Sequence, residues 1–144
     1  MKNSLRIKIV KWQDHHEVLM MIRQKVFIRE QQVSPELEWD DMDESAIHFL
    51  AYHDETPIGC ARAIVNPQEL FLGRMAVLKE KRKQGVGRAL LEYAITMAKL
   101  NHLISIHISA QCDAIDFYMP FGFKVVSEIY LDANIPHRDM KLEF

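Results

Sequence analysis

A short segment from Arg82 to Arg88 carries the residue types best suited to chemistry in this sequence. It holds two of the five glycines in a chain of 144 residues, and a helical pattern begins within it. Glycine adopts positive φ and lets another molecule approach the main chain closely. The first amide groups of a helix lack internal partners and carry partial positive charge. We therefore predict a phosphate site formed by Arg82, Lys83, Gln84, Gly85, Val86, Gly87 and Arg88.

Three phosphate-binding patterns can be compared with this segment. A Walker loop requires Lys-Ser or Lys-Thr after its last glycine, where this chain has Arg88-Ala89. A dinucleotide fingerprint requires a third glycine or an alanine where Leu90 stands. The third pattern is Arg or Gln, two residues, Gly, one residue, then Gly or Ala, and Arg82, Gly85 and Gly87 satisfy all of it. On this motif alone, a surface loop that binds nothing stays open as the alternative.

The third pattern resembles the pyrophosphate loop of the GCN5-related N-acetyltransferases (GNAT), which bind acetyl-CoA. Residues 111–123 are similar to a second pattern of that superfamily, Asn-x-x-Ala-x-x-(Phe/Leu)-Tyr-x-x-x-Gly-Phe. The matching residues are Ala114, Phe117, Tyr118, Gly122 and Phe123, while Gln111 stands where asparagine is usual. Two further segments, Val26-Phe27-x-x-Glu30-Gln31 and Ile135-Pro136-His137-x-x-Met140, look like the ElaA branch. The resemblance covers almost the whole chain, from Leu5 to Phe144.

Hydrophobic periodicity places these motifs in the order β-α-β-β-β-α-β-α-β-β. The predicted strands are Leu5 to Val10, Ile47 to His53, Ile58 to Val65, Leu70 to Val77, Leu103 to Ser109, Lys124 to Tyr130 and Arg138 to Phe144. The predicted helices run from Asp14, as N-cap, to about Gln31, from Gly85 to about Leu100, and from about Asp113 to Met119. A loop is predicted from Leu131 to Pro136. With the resemblance, we expect a GNAT-like α/β fold: a mixed, mostly antiparallel sheet of six to seven strands with helices on both faces.

Composition and charge argue against several classes of protein. The formal net charge is −2, so no overall basic field would recruit nucleic acid. No apolar run approaches the ~18 residues of a membrane span. Cys60 and Cys112 match neither metal nor disulfide spacing, which predicts a reducing, cytoplasmic setting. We expect one domain, residues 1–144, and the sequence leaves open whether it forms a homodimer.

The resemblance implies where coenzyme A would lie. The run from Leu70 to Ser109 implies a parallel strand pair, and in the GNAT fold such a pair splays apart to form the CoA cleft. Main-chain groups of Met75, Ala76 and Val77 would pair with the pantetheine arm, and Gln111 would lie beside it. Tyr118 would face the thioester sulfur as the acid.

The general base is the least constrained assignment. Glu30 lies near the end of the first predicted helix, where this fold places its amine-side cleft. His137 belongs to a loop on the same side, and the unperturbed pKa of histidine, ~6.5, suits proton transfer. We favour a Glu30–His137 pair, with His48 as the next candidate, although a histidine in an apolar strand is more often a core residue.

The acidic segment 36–44 allows two interpretations. Its carboxylates could attract a cationic amine or polyamine, or they could form a solvated, mobile loop, which is the more common case. The segment lacks EF-hand spacing and has no neighbouring histidine or cysteine cluster, so we expect no metal site.

These observations together predict an acetyl-CoA-dependent N-acetyltransferase in which a primary amine attacks the thioester directly. The acceptor would be a small-molecule or peptide amine, and the sequence does not identify it. Two alternatives stay open at this point: a non-catalytic CoA-binding sensor or interaction module of the same fold, and a nucleotide-binding protein.

Overall fold

The structure, a computed structural model, describes residues 4–144, so residues 1–3 of the expected 1–144 domain lie outside the described part. From residue 4 onward the strands are β1 (Leu5–Val10), β2 (Ile47–His53), β3 (Thr56–Val65), β4 (Glu69–Val77), β5 (Ser105–Gln111), β6 (Lys124–Val125), β7 (Tyr130–Asp132) and β8 (Ile135–Glu143). The helices are α1 (Trp12–Arg23), α2 (Pro35–Glu38), α3 (Val86–Leu100) and α4 (Ile115–Tyr118). A π-helical segment, Gln24–Glu30, continues α1 directly.

All eight strands belong to one sheet, in the order β1-β2-β3-β4-β5-β8-β6, with β7 also paired to β8. Strands β4 and β5 are parallel, and α3 connects them. The other neighbouring pairs are antiparallel. The predicted mixed, mostly antiparallel sheet is therefore confirmed, with eight strands in place of six or seven.

The additional strand arises because the predicted strand Lys124 to Tyr130 is divided into β6 and β7. Ser127 lies at the break, where its Oγ accepts a hydrogen bond from a main-chain amide of β8 at 2.7 Å. The predicted loop from Leu131 to Pro136 is wrong, because Ala133 and Asn134 form a two-residue turn between β7 and β8. Their φ angles are 51° and 62°, and positive φ at both central positions is typical of type I′ hairpin turns.

The first helix begins earlier than predicted. Its N-cap is Lys11, and Asp14 lies in the first turn, so the prediction that Asp14 caps the helix is wrong. A carboxylate in the first turn still favours the helix because it faces the positive end of the helix dipole. After Arg23 the helix widens into the π-helical segment, with Gln31 as its C-cap, in agreement with the predicted end. Such π-helical turns are rare and are often found at functional sites.

Two apolar layers bury the two faces of the sheet. Helix α3 contributes Val86, Leu90, Leu91, Ala94 and Ala98 to one layer. Helix α1 and the π-helical segment contribute Leu19, Ile22 and Val26 to the other. The consecutive β2 residues Phe49 and Leu50 belong to different layers, because alternate side chains of a strand point to opposite faces. Helices on both faces, as predicted, are confirmed.

A buried ion-pair network holds the acidic segment against the sheet. Arg23, at the end of α1, is 1% exposed and donates to Glu38 at 2.7 Å and to Asp43 at 2.8 Å. The network joins three arginines to three carboxylates: Arg23, Arg62, Arg74, Glu38, Asp40 and Asp43. The interpretation of residues 36–44 as a solvated loop is therefore wrong for Glu38 and Asp43, which are buried.

Replacing Arg23 by alanine should destabilise the protein strongly. The change removes the nearest cationic partner of the buried Glu38 and Asp43 carboxylates, and breaking a buried ion pair in this way costs about 3–5 kcal/mol. Urea unfolding followed by circular dichroism measures the change in the free energy of unfolding. Arg6→Ala is the matched control, because the Arg6–Glu55 pair is solvent-exposed and such pairs contribute little. Equal, small losses in both variants would contradict a stabilising role for the network.

Candidate functional site

The central feature of the site is the point where the parallel strands β4 and β5 part. Their pairing begins at Glu69 with Ser105 and ends at Leu72 with Ile108. Both strands continue beyond this point, β4 to Val77 and β5 to Gln111. Buried main-chain amides and carbonyls require hydrogen-bond partners, so the open edge of β4 can receive an amide-containing ligand as an added strand. Residues 75–77, named in the sequence analysis, lie on this edge.

A β-bulge in β4 accompanies the separation. Arg62 pairs with Gly73 and Cys60 with Ala76, so β4 has one more residue than β3 across this interval. Bulges bend the strand that carries them. The bulge contains Arg74 at φ 49°, and its side chain donates to the Glu38 carboxylate at 3.1 Å and to the Glu38 main-chain oxygen at 3.0 Å. The buried network thus supports the bend that opens β4 from β5.

A cavity of about 330 Å³ occupies the space between the parted strands. Four of the predicted site residues line it: Met75, Gln111, Tyr118 and His137. Its other walls include Phe27 and Gln31 from the region of the π-helical segment and Leu37 and Glu38 from α2. The structure therefore brings the predicted acid and one predicted base into the same cavity, from segments that are distant in sequence.

Tyr118 presents a buried phenol to this cavity. It belongs to α4, is 8% exposed, and packs edge-to-face against Phe117 and Phe123, with ring centroids 5.0 and 5.8 Å apart. Burial raises the pKa of Tyr118 to about 12. Burial is the whole cause of this shift, with no hydrogen bond to the hydroxyl contributing, so the protonated hydroxyl is available as a donor to a ligand.

His137 is held in one tautomer by the main chain. It lies on β8, opposite Gln111 of β5 and Tyr130 of β7. Its Nδ1 lies 2.6 Å from the carbonyl oxygen of Ile135. Because a carbonyl oxygen can only accept, the proton of the neutral ring lies on Nδ1 and the lone pair on Nε2. That arrangement suits an imidazole that accepts a proton from a ligand in the cavity.

Glu30 is paired with Arg82 rather than with His137. The Arg82 guanidinium donates to both carboxylate oxygens of Glu30, at 2.5 and 2.6 Å. These hydrogen bonds hold the pKa of Glu30 below its usual value. A carboxylate held in its charged form by a bidentate arginine is a weak proton acceptor, so the geometry favours His137 over Glu30 for that role.

The cofactor loop, residues 82–88, has the geometry expected of an anion site. Lys83 and Gly85 have φ angles of 61° and 84°, and Gly85 is the N-cap of α3 without a side-chain cap. The first amide of the helix with an internal acceptor is that of Ala89, which donates to the Gly85 oxygen at 3.0 Å. The preceding amides of residues 86–88 have no acceptor within the described chain, so they can donate to a diphosphate.

Two side chains of the loop, Arg88 and Gln84, already make contacts within the protein. Arg88 donates to Glu92 at 2.7 Å along α3 and lies over the ring of Phe121. Gln84 donates to the Glu80 main-chain oxygen at 3.3 Å. The main chain of the loop is therefore freer to meet an anion than these two side chains are.

Several residues of the site were missed in the sequence analysis. Gln31 accepts a hydrogen bond from Gln111 Nε2 at 2.8 Å, across 80 residues of sequence. Phe27 and Arg74 line the cavity as well. The Glu30-Gln31 motif was the one available signal for Gln31, whereas nothing local distinguishes Arg74 from other strand arginines.

His48, the next candidate for the base, and Cys60 are both core residues. His48 is buried, and its Nε2 lies 2.7 Å from the main-chain oxygen of Asp43, as expected for a satisfied core histidine. Burial raises the pKa of the Cys60 thiol to about 12, so it is not a thiolate nucleophile near neutral pH. In the part of the chain that the structure describes, no three His, Cys, Asp or Glu side chains are grouped to hold a metal.

Comparison with known proteins decides the family. Residues 14–144 match the family model described as the acetyltransferase (GNAT) domain. The chain belongs to the GNAT family and is an N-acetyltransferase of its ElaA-like branch. Among the helices of residues 4–144, none has the length and apolar character to cross a lipid bilayer.

Three relatives illustrate the similarity. YjcF of Bacillus subtilis, an uncharacterized N-acetyltransferase, is 31% identical, over 94% of this chain and 98% of its own length. ElaA of Escherichia coli is 27% identical, over 94% of this chain and 97% of its own. An acyl-CoA N-acyltransferase from Pseudomonas aeruginosa, at 28% identity, superposes with a TM-score of 0.85 and covers 96% of this chain and 99% of its own.

The raised pKa of Tyr118 predicts that its phenol loses its proton at a higher pH than a free tyrosine does. Its folded pKa of about 12 lies above the ~10 of an unfolded tyrosine. The stability gained by burying the neutral phenol is therefore complete below pH ~10 and is lost as the pH rises toward the folded value. The ultraviolet difference between the wild type and Tyr118→Phe measures this phenolate alone, while circular dichroism monitors the fold. A Tyr118 midpoint near ~10 in the folded protein would show that the phenol is not desolvated.

Proposed function

We propose that this protein transfers the acetyl group of acetyl-CoA to a primary amine, by direct attack of the amine on the thioester in a ternary complex. The observation that carries the proposal is that Tyr118 and His137 line one cavity at the splayed end of β4 and β5. The open strand edge and the free amides of the cofactor loop lie on the same β4–α3 connection. This arrangement offers one region for binding coenzyme A and another for proton transfer.

Coenzyme A fits the groups that lack partners in the fold. The amides of residues 86–88 would receive the diphosphate, with Lys83 adding positive charge. The edge of β4 at Met75, Ala76 and Val77 would hydrogen-bond the amide groups of the pantetheine arm. Gln111 and Tyr118 would lie along the same path from the other side of the cleft. Bound acetyl-CoA supplies the acetyl thioester. The protein orients the reacting groups, accepts the proton of the amine and donates a hydrogen bond to the departing sulfur.

The acceptor amine must lose a proton before it can attack. A primary amine is largely protonated near neutral pH, so a base within the cavity is required. His137 suits the role because Ile135 fixes the proton on Nδ1 and leaves Nε2 free to accept. A main-chain amide of β4 would polarise the thioester carbonyl as negative charge develops on its oxygen.

The departing sulfur needs a hydrogen-bond donor. The pKa of Tyr118, about 12, lies so far above the ~8.5 of a free thiol that full proton transfer is uphill by roughly 5 kcal/mol. We therefore assign Tyr118 as a hydrogen-bond donor that stabilises the developing thiolate, rather than as an acid that is deprotonated early. A phenol desolvated in this way remains a donor across the working pH range.

The proposal is tested by incubating the protein with acetyl-CoA and a panel of primary amines that includes small amines, polyamines and peptides. We expect amine-dependent release of the CoA thiol together with a product one acetyl group heavier than the acceptor. Calorimetric CoA binding without turnover on any amine would instead assign a non-catalytic CoA-binding module. Tight ATP or NAD binding unaffected by CoA would assign a nucleotide-binding protein.

Tyr118→Phe should lower kcat by about 10²-fold, in the range typical of a lost hydrogen-bond donor to a developing negative charge, with little change in CoA affinity. The variant keeps the packing of the ring against Phe117 and Phe123 and removes only the hydroxyl. Tyr93→Phe on α3 is the matched control, because its ring packs against Phe49 and does not line the cavity. Steady-state kinetics and calorimetry measure the two effects separately. Unchanged turnover would remove the Tyr118 hydroxyl from the mechanism.

His137→Ala should lower kcat by about 10²-fold or more while CoA affinity stays close to that of the wild type. The reason is that the amine would lose its proton acceptor, whereas the cofactor loop is untouched. His102→Asn is the control: His102 is exposed, and asparagine tolerates its φ of 58°. Equal kcat values for the two variants would rule out His137 as the base.

A further inference from the structure

The guanidinium of Arg82 joins three parts of the fold beside the cofactor loop. Its Nε donates to the main-chain oxygen of Val77, the last residue of β4, at 3.0 Å. Its two terminal nitrogens donate to the two carboxylate oxygens of Glu30, at 2.5 and 2.6 Å. All three nitrogens are therefore engaged, in a bidentate geometry that gives charge-assisted hydrogen bonds both strength and direction. Arg82 is thus already occupied where the sequence motif suggested a free ligand for the diphosphate.

The residue after Glu30 contacts the opposite side of the cleft. Gln31 Oε1 accepts a hydrogen bond at 2.8 Å from Nε2 of Gln111, the last residue of β5. Gln31 also lines the cavity, as does Phe27 one turn earlier. Two consecutive residues at the end of the π-helical segment therefore bond to both arms of the splayed pair. Glu30 bonds to the β4 arm through Arg82, and Gln31 bonds to the β5 arm.

We infer that Glu30 is a positioning residue for the cofactor loop, acting through Arg82, and that residues 30 and 31 together fix the spacing of the two arms. The inference rests on the proposed function, because it assigns the loop to coenzyme A. It differs from the sequence-based hypothesis that Glu30 is the general base. The end of the π-helical segment then supports two parts of the site: the cofactor loop, through Arg82, and the end of β5, through Gln111.

The conformation of the loop explains why it needs support. Lys83 adopts a φ of 61° and Gly85 a φ of 84° within three residues of Arg82. A non-glycine residue at positive φ carries strain that the surrounding contacts must offset. The Glu30 and Val77 contacts hold the start of this loop from two sides. A loop that is ordered before its ligand arrives loses less conformational entropy on binding, so the affinity rises.

Electrostatics alone predicts the opposite effect of Glu30 on coenzyme A. Glu30 is a carboxylate near the expected diphosphate, and like charges repel. If that repulsion dominated, or if Arg82 left Glu30 to bind the diphosphate, removing the charge of Glu30 would tighten CoA binding. A positioning role predicts weaker binding instead. The sign of the change therefore separates the two explanations.

The test compares Glu30→Gln with the wild type and with Glu17→Gln. Glu17 is an exposed residue of α1, so the control makes the same substitution without touching Arg82. Calorimetry with coenzyme A gives the Kd, and steady-state kinetics over a range of pH gives the kcat profile. We expect Glu30→Gln to raise the Kd about tenfold, the size of one lost charge-assisted hydrogen bond. The shape of the pH–kcat profile should stay that of the wild type, and Glu17→Gln should match the wild type throughout.

Arg82→Gln and the double variant Glu30→Gln/Arg82→Gln complete a cycle. If Glu30 acts through Arg82, the double variant should bind coenzyme A no more weakly than the weaker single variant, because both changes break the same link. Unchanged or tighter binding by Glu30→Gln would overturn the inference. A 10²-fold loss of kcat with unchanged CoA affinity would also overturn it and would restore the base assignment.

The wild type separates this inference from the proposed function. A wild-type protein with no affinity for coenzyme A would overturn both. A wild type that binds coenzyme A and acetylates an amine, with a Glu30→Gln variant that behaves identically, would overturn the positioning role alone.

Discussion

The parting of β4 from β5 after Leu72 and Ile108 is the constraint on which the rest of the site depends. If β4 and β5 remained hydrogen-bonded along their whole length, there would be no open strand edge and no cavity lined by Tyr118 and His137. Main-chain hydrogen bonds favour continued pairing of β4 with β5, so other contacts must hold the two strands apart. The extra residue in β4, with Arg74 bonded to Glu38 on the neighbouring segment, supplies a bend toward α2. On the other side, residues beyond Ile108 in β5 remain paired to β8.

Tyr118 and His137 line the same cavity but lie in different local environments. Around Tyr118 the aromatic packing removes water, and the phenol keeps its proton. His137 is instead fixed by one main-chain carbonyl, which orients the ring without adding a charge beside it. In the proposed mechanism, a donor on α4 and an acceptor on β8 would therefore act on one ligand in the cavity that both residues line. Their separation in sequence is bridged by the sheet, because β8 pairs directly with β5, the strand that leads into α4.

Local sequence patterns predicted the parts of this protein that depend on local physics. The start of α3 at Gly85 and the strand from Ile47 to His53 depend on backbone geometry and burial within a few residues, and both were predicted correctly. The errors concern contacts between distant segments. Arg74 meets Glu38 across 36 residues, Arg82 meets Glu30 across 52, and Gln111 meets Gln31 across 80. No periodicity records such pairings, so an acidic run that is partly buried looked solvated, and Glu30 was expected to pair with His137 although it pairs with Arg82.

The buried ion-pair network around Arg23 contains three arginines and three carboxylates, so its formal charges cancel. Replacing one of its buried members leaves a charge with fewer partners away from water, so changes at Arg23, Arg62, Glu38 and Asp43 are tolerable chiefly as matched sets. A chimaera that grafts the 35–45 segment from another family member would have to carry the corresponding arginines of α1, β3 and β4 with it. Since this segment also forms one wall of the cavity between β4 and β5, exchanging it alone would destabilise the fold before it altered what the cavity binds.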